Sequence, residues 1–201
     1  VDAVATLLEI AADDLLGLGL LMRAVPDFDV LDMRYYGVLQ RIGLVYVAAA
    51  GLYLWFGSRA RAGWVAGILL GYWAVMTWVP VPGRGAGDLS PDGNLAAWLD
   101  RVLLDGHLWQ DTWDPEGLLS TVPAVDTTLL GIATGEWLRS GRSGPVLTRG
   151  MVLAGLALSA VGLAWGWGFP INKNLWTPTF VFWCAGWSLL LLALFHALID
   201  L

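Results

Sequence analysis

The chain has 201 residues, of which 57% are hydrophobic and only 14% are charged, whereas a soluble domain usually carries about 25% charged residues. The net charge of −6 and the lack of a basic stripe argue against a nucleic-acid-binding protein, because phosphates are neutralised by clustered Lys and Arg. Long blocks contain no Asp, Glu, Lys or Arg, at 42–58, 62–83, 150–172 and 174–199. Since roughly 20 apolar residues span a bilayer as a helix, the sequence predicts an all-α, polytopic membrane protein.

The apolar blocks predict six transmembrane helices within a single helical domain over residues 1–201. The predicted helices are 3–22, 37–56, 62–79, 118–138, 146–165 and 179–199. Glu9, Asp13 and Asp14 interrupt the first helix, where they either line a pore or lie in interfacial water. A long loop at 80–117 follows the third helix. Because the chain begins with Val and ends beside an apolar block, we expect an internal piece of a longer protein, incomplete at both ends.

Basic residues are concentrated in two short loops between predicted helices. They are Arg59, Arg61, Arg139, Arg142 and Arg149. Since Lys and Arg near span ends favour the cytoplasmic side, helix parity places three other loops outside, at 23–36, 80–117 and 166–178. Three polar stretches then meet at one membrane face. This arrangement predicts a site at the outer mouth of the bundle, because irregular backbone at membrane depth is tolerated where it is buried in protein or lines a wet cavity.

The stretch FPINKNLWTPT sets three polar side chains between the fifth and sixth predicted helices. Pro170 and Pro178 bracket it, and proline bounds helices. Lys173, the single lysine of the chain, could hold a phosphate or carboxylate, while Asn172 and Asn174 could hold a carbonyl or a sugar hydroxyl. An ordinary interfacial loop with a snorkelling lysine explains the same residues equally well.

The stretch GHLWQDTWDPEG precedes the fourth predicted helix. His107 could act as a general base, because histidine titrates near neutral pH. Asp114 and Glu116 belong to a turn that leads into the helix, where proline and acidic residues suit the first turn. A solvated histidine and a plain helix start are the structural alternatives. The spacing of His, Asp and Glu here does not predict a metal site.

Charged side chains also fall inside the second and fourth predicted spans. Arg41, preceded by Gln40, lies about one turn into the second helix, and Asp126 lies about two turns into the fourth. A charge in a span usually faces a cavity or a partner. Arg41 could hold an anionic group at the outer mouth or snorkel to the headgroups. An ion pair between Arg41 and Asp126 is the simplest structural explanation of both residues.

Gly63, Gly67 and Gly71 recur at every fourth residue of the third predicted helix. Such a stripe of small residues lets another helix approach closely. We therefore expect it to serve helix packing, either within one copy or between the two copies of a homodimer.

Three ordered blocks of sequence resemble the bacterial relatives of heparan-α-glucosaminide N-acetyltransferase. The blocks contain YYGVLQRIG, DGHLWQDTWDPEGLLS and FPINKNLWTPTF, and the resemblance covers nearly the whole chain from about Leu15. It implies a multi-helix acyltransferase of the bacterial inner membrane, with its polar loops facing the periplasm. It also implies acetyl-CoA as the donor, no metal, and an amino-sugar acceptor of the glucosamine type on the far side of the membrane.

Three motifs of that family fall on this chain: an Asn-Lys-Asn turn, an Asp-Pro-Glu-Gly turn and a Leu-Gln-Arg stretch. The matching residues that the resemblance places around the substrate are Asn172, Lys173, Asn174, Asp114, Glu116, Gln40 and Arg41. The family's catalytic histidine lies upstream of the residues present here, so we expect this piece alone to lack a complete active site. His107 lies in a different block and is a second candidate for the base. Two alternatives stand beside this hypothesis. One is a transporter or scaffold in which Arg41 and Asp126 serve an ion pathway, and the other is an inactive fragment.

Overall fold

A computed structural model describes residues 2–25, 28–29 and 31–200, with side chains from residue 13 onward. Within these ranges the chain forms seven helices and no β-strand, which confirms the predicted all-α fold. The helices are α1 Asp2–Ala24, α2 Val38–Trp55, α3 Ser58–Trp78, α4 Leu95–Leu103, α5 Leu118–Leu138, α6 Gly144–Gly166 and α7 Pro178–Ile199.

Four helices in the described part of the chain are long and apolar enough to cross a membrane: α2, α5, α6 and α7. α1 and α3 occupy the positions of the predicted first and third helices, although neither is among these four. The apolar helices are those of an integral membrane protein. α5 lies at the centre of the bundle, where it contacts α2, α3, α4, α6 and α7.

The predicted helices differ from the observed ones by at most four residues at either end, because local chemistry marks their starts. α7 begins at Pro178, whose missing N–H costs nothing at the first helical position. The side chain of Thr177 caps the same helix by accepting a hydrogen bond from the backbone N–H of Phe180 at 3.3 Å. α6 likewise carries a proline in its first turn. These signals fix where the apolar segments begin.

The region predicted as a loop at 80–117 contains a helix, and this part of the prediction was wrong. α4 has only nine residues, so it lacks the long apolar block by which the other helices were recognised. Its start is capped by Asn94, whose side-chain oxygen accepts from the N–H of Ala97 at 2.8 Å. The buried Leu95 and Ala96 then join a core with Tyr72 of α3. α4 is therefore a packed part of the bundle.

Close helix packing occurs between α6 and α7, where small residues meet. A Cβ atom added to Gly155 would lie 2.9 Å from the carbonyl oxygen of Gly186, and one added to Gly162 would lie 2.9 Å from the backbone N of Trp183. The two helices thus approach with little between their backbones, as small residues allow.

Among the described residues the glycine stripe on α3 has no such partner, so the expected packing role is not met within the described part of one copy. A Cβ added to Gly63, Gly67 or Gly71 would meet nothing within 4 Å. Glycine permits close approach but does not enforce it. A contact between two copies stays a prediction.

Of the three acidic residues predicted to interrupt the first helix, two have side chains that the structure describes. Asp13 and Asp14 are exposed. The side chain of Glu9 lies outside the described part of the structure, so the predicted pore-lining role is not addressed there.

Candidate functional site

The turn before α5 is built around the buried carboxylate of Asp114. One of its oxygens accepts from the backbone N–H of Glu116 at 2.8 Å, and the other accepts from that of Trp109 at 3.0 Å. Arg34 donates through Nε to the same carboxylate at 2.7 Å, and its Nη2 reaches both Asp114 and Glu116. Asp114 therefore organises the turn from inside, while Glu116 remains at its surface. Arg34 was missed as a site residue, although it belongs to a polar stretch next to the predicted second helix.

The turn before α7 is built around the side chain of Asn172. Its Oδ1 accepts from the backbone N–H groups of Asn174 at 2.9 Å and Leu175 at 3.3 Å. Thr177 closes the loop, because its hydroxyl accepts from the N–H of Asn172 at 3.0 Å and contacts the carbonyl of Pro170. Asn172 is thus occupied in shaping the turn. Asn174, like the neighbouring lysine, is exposed.

The two turns border one cleft of about 380 Å³. The residues that line it are Trp109, Trp113, Pro115, Glu116, Lys173, Asn174 and Trp176. Three of the seven predicted substrate residues, Glu116, Lys173 and Asn174, therefore lie around one space. Aromatic walls with a few polar groups are typical of small-molecule sites, whose volumes are about 300–1,000 Å³. The three tryptophans that line the cleft were not predicted as site residues.

Arg41 lies beneath this cleft and does not line it. Its Nη2 donates to the carbonyl of Pro115 at 2.8 Å and also contacts the hydroxyl of Ser120, while its Nε lies 3.3 Å from Thr121. Its Cζ lies 5.0 Å from the ring centroid of Trp176. Arg41 therefore ties the turn before α5 to the turn before α7. The neighbouring Gln40 is buried, and its side chain lies against Gly19 and Gly37. It does not line the cleft either.

The expected ion pair between Arg41 and Asp126 is not formed. Arg41 finds its acceptors around the start of α5, at Pro115 and Ser120. Asp126 lies five residues beyond Thr121, which places it about 8 Å deeper along the helix at a rise of roughly 1.5 Å per residue. Its carboxylate is fully buried, and neither oxygen has a hydrogen-bond partner among the described residues. The transporter hypothesis thereby loses the pair on which it was based.

His107 lies on the loop after α4, outside the residues that line the cleft. Its ring stacks on that of Tyr35 with 3.9 Å between centroids, and its Nδ1 lies 2.9 Å from the carbonyl oxygen of Met33. Because a carbonyl can only accept, Nδ1 carries the proton, and the lone pair of the neutral ring is on Nε2. The ring is thus held with a defined basic nitrogen, as a general base requires.

Asp100 is a buried carboxylate that the sequence reasoning did not single out. It lies on α4 and accepts from the backbone N–H of Leu118, the first residue of α5, at 2.9 Å. A Cβ at Gly117 would collide with this carboxylate, so the glycine permits the contact. Burial raises the pKa of Asp100 to about 6, against the opposing effect of the Leu118 hydrogen bond. Asp100 lies 18 residues before the predicted fourth helix, in a segment predicted as a loop, so no local pattern in the sequence indicated it.

No family model matches the chain. Two curated proteins do. Human heparan-alpha-glucosaminide N-acetyltransferase is 27% identical over 220 residues, covering 84% of this chain and 33% of that protein. The mouse protein of the same name is 27% identical over 221 residues, covering 84% and 34% respectively. This is distant homology, and it supports that family. The chain spans about a third of the length of the curated relatives it matches.

The homology agrees with the resemblance read from the motifs and with the membrane helices of the fold. The described residues contain no group of three or more His, Cys, Asp or Glu side chains suited to a metal. A bacterial origin and the direction in which the cleft faces stay predictions.

Proposed function

We propose that this chain is part of an integral membrane N-acetyltransferase that transfers acetyl from acetyl-CoA to the amino group of a glucosamine-type sugar. The observation that carries the proposal is the cleft in which Glu116, Lys173 and Asn174 meet three tryptophans. These residues come from two turns that are far apart in sequence, and both turns belong to motifs that resemble the family. The distant homology to a membrane N-acetyltransferase supports the same reaction class.

The cleft offers complementary groups to both substrates. The Glu116 carboxylate suits the amine of an amino sugar, and the tryptophan faces suit the apolar side of a sugar ring. The ammonium of Lys173 suits a phosphate of CoA, since a lysine binds phosphate as a point charge. The Asn174 amide suits the oxyanion that forms when the thioester carbonyl is attacked, because an amide N–H can donate a hydrogen bond to it.

The reaction needs a group that takes a proton from the attacking amine. The amine nitrogen forms a bond to the thioester carbon, the tetrahedral adduct collapses, and the CoA thiolate leaves with the electron pair of the broken C–S bond. His107 is our proposed proton acceptor, because the hydrogen bond to Met33 leaves its Nε2 with the lone pair. In this role Nε2 takes the proton directly or through one bridging water, and the proposal requires it to come within that reach of the amine.

We expect the protein to lie in the bacterial inner membrane with the cleft on the periplasmic side, because the short basic loops lie at the opposite end of the bundle. The helices are then embedded in the lipid bilayer, and the acceptor reaches the cleft from outside. Accessibility of a cysteine placed at Asp111 to an impermeant reagent in intact cells would show which side the cleft faces.

Acetyl transfer from labelled acetyl-CoA to glucosamine, measured with the native gene product in detergent, tests the function. We expect labelled product that falls at least about tenfold in Asn174→Ala and Lys173→Met, as for the loss of an oxyanion or phosphate contact. Asp111→Asn, an exposed change in the same outer segment, is the matched control. Full activity in both cleft variants would show that the cleft takes no part in the reaction.

One observation favours the transporter alternative. Asp126 places a fully buried carboxylate without a partner among the described residues inside a membrane helix, and such a group is a default functional hypothesis. Flux of an amino sugar into liposomes, lost in Asp126→Asn and unaccompanied by acetylated product, would support this alternative over the transferase.

A further inference from the structure

An open groove of about 750 Å³ lies between α5 and the α6–α7 pair. It shares no lining residue with the outer cleft. Small and apolar side chains form most of its wall, among them Gly131, Ala154, Cys184 and Leu189. A Cβ added to Gly131 would meet nothing within 4 Å, so this wall leaves real space. Because α5, α6 and α7 are all candidate membrane spans, the groove opens within the apolar part of the bundle.

An aromatic ring lines this groove at its end near the α5–α6 loop. The indole of Trp137 lines the groove and donates through Nε1 to the carbonyl of Leu147 at 3.2 Å. Gly150 packs so closely against the ring that a Cβ there would collide with it. Trp137 is therefore held in place by two residues at the start of α6.

An arginine is stacked on the outer face of that ring. The Cζ of Arg142 lies 4.4 Å from the ring centroid of Trp137, and the side chain is exposed. Arg139 and Arg149 are exposed on the flanking ends of α5 and α6. Cation–π contact orients a guanidinium that would otherwise be mobile. A positive group is thus held at the mouth of an apolar groove.

Among the side chains that the structure describes, the charge balance at this end of the bundle is positive. Among the described side chains there, Glu136 already pairs with Arg61, and Asp200 lies at the end of α7. The ion pair occupies one acid and one base. The arginines on either side of the α5–α6 loop remain for an anionic partner.

We propose that the groove binds an anionic phospholipid of the surrounding bilayer, with an acyl chain between α5, α6 and α7 and the phosphate at Arg142. The apolar wall matches a hydrocarbon chain, and the exposed arginines match a headgroup with net negative charge. Basic pockets between membrane helices recognise anionic headgroups in this way. A zwitterionic lipid would fill the groove but gain less from the arginines. The inference does not depend on the proposed transferase activity.

Native mass spectrometry of the purified protein with phosphatidylglycerol or phosphatidylcholine of matched chains tests the proposal. We expect phosphatidylglycerol to be retained over phosphatidylcholine, and its binding to weaken as salt rises. Arg142→Gln should weaken phosphatidylglycerol binding roughly fivefold. Gly131→Leu should block both lipids, because the new side chain fills the groove without a clash.

Two changes serve as matched controls. Arg59→Gln removes an exposed arginine from the start of α3, and Gly63→Leu adds a side chain to an open position of the same helix. Both should leave lipid binding unchanged. Headgroup preference and salt dependence are measured on the wild-type protein. They therefore test the selectivity for an anionic lipid even where a variant fails to fold.

Several outcomes would overturn the inference. Equal retention of the two lipids would show that the arginines do not select an anionic headgroup. Unchanged binding in Gly131→Leu would show that the lipid binds outside the groove. Displacement of phosphatidylglycerol by CoA would assign the groove to the CoA phosphates. A dimer that dissociates in Gly131→Leu but does not respond to lipid would assign the groove to a second copy of the chain.

Discussion

The guanidinium of Arg41 stacks on the indole of Trp176, with its Cζ 5.0 Å from the ring centroid. The same guanidinium donates to the carbonyl of Pro115 at 2.8 Å. One buried side chain of α2 thus joins the turn before α5 to the turn before α7. Since the candidate cleft lies between these turns, Arg41 sets the distance between its walls without lining it.

This relationship predicts that Arg41→Lys is not a conservative change. A lysine keeps the charge but lacks the planar fork that serves Pro115, Ser120 and the indole face together. Losing one hydrogen bond of a charged donor costs about 2 kcal/mol, so we expect a lower thermal midpoint and a raised KM for the sugar. Thermal unfolding in detergent and steady-state kinetics measure both. Arg59→Lys, at an exposed position, is the control, and an unchanged midpoint in Arg41→Lys would contradict the tie between the turns.

The positions of the long helices could be predicted because each is a block of apolar residues ended by charges, glycine or proline. The pairing of side chains could not. Arg34 and Asp114 are 80 residues apart, and no local pattern in either segment indicates the other. Arg41 and Asp126 were matched by charge alone, although their depths along the bundle differ. Charge suggests which residues need partners, whereas the partner depends on helix packing.

A second prediction separates the two acids of the turn before α5. Asp114 is buried and accepts two backbone N–H groups as well as Arg34, so Asp114→Asn should lower stability by roughly 3 kcal/mol. Glu116 is partly exposed in the cleft, so Glu116→Gln should lower turnover with a smaller change in stability. Thermal midpoints and acetyl-transfer rates of both variants test this. Equal losses of stability would show that Glu116 is also mainly structural.

A third prediction separates the two asparagines of the turn before α7. Asn172→Ala removes the acceptor for the N–H groups of Asn174 and Leu175, and should cost about 1 kcal/mol of stability. Asn174→Ala should lower turnover while the thermal midpoint stays within error, because that side chain is exposed in the cleft. If Asn172→Ala kept the wild-type midpoint, its side chain would not be the organiser of the turn.

The candidate site shows the same limit of sequence reasoning at the level of single residues. The motifs pointed to both turns, and both border the cleft. They did not distinguish Asn172 from Asn174, or Asp114 from Glu116. In each pair one side chain is turned inward to satisfy backbone N–H groups and the other faces the cleft. That division depends on the backbone path of a turn, which residue type alone does not specify.

A fourth prediction concerns the pH dependence of stability through Asp100. Burial raises its pKa from 3.8 to about 6, so the folded state holds this proton more tightly than the unfolded state. Stability should therefore fall as pH rises from about 4 to about 6, and this contribution should be constant above that window. The two pKa values correspond to a difference of at most roughly 3 kcal/mol in the free energy of unfolding.

Asp100→Asn isolates this contribution, because an amide oxygen can still accept from the N–H of Leu118 but does not titrate. We expect the thermal midpoint of Asp100→Asn to rise relative to that of the wild type as the pH is raised from 4 to 7. Other carboxylates titrate in both proteins and cancel in that difference. A difference that stays constant across this range would mean that Asp100 does not carry the extra proton. The start of α5 would then be held by a carboxylate that is charged throughout.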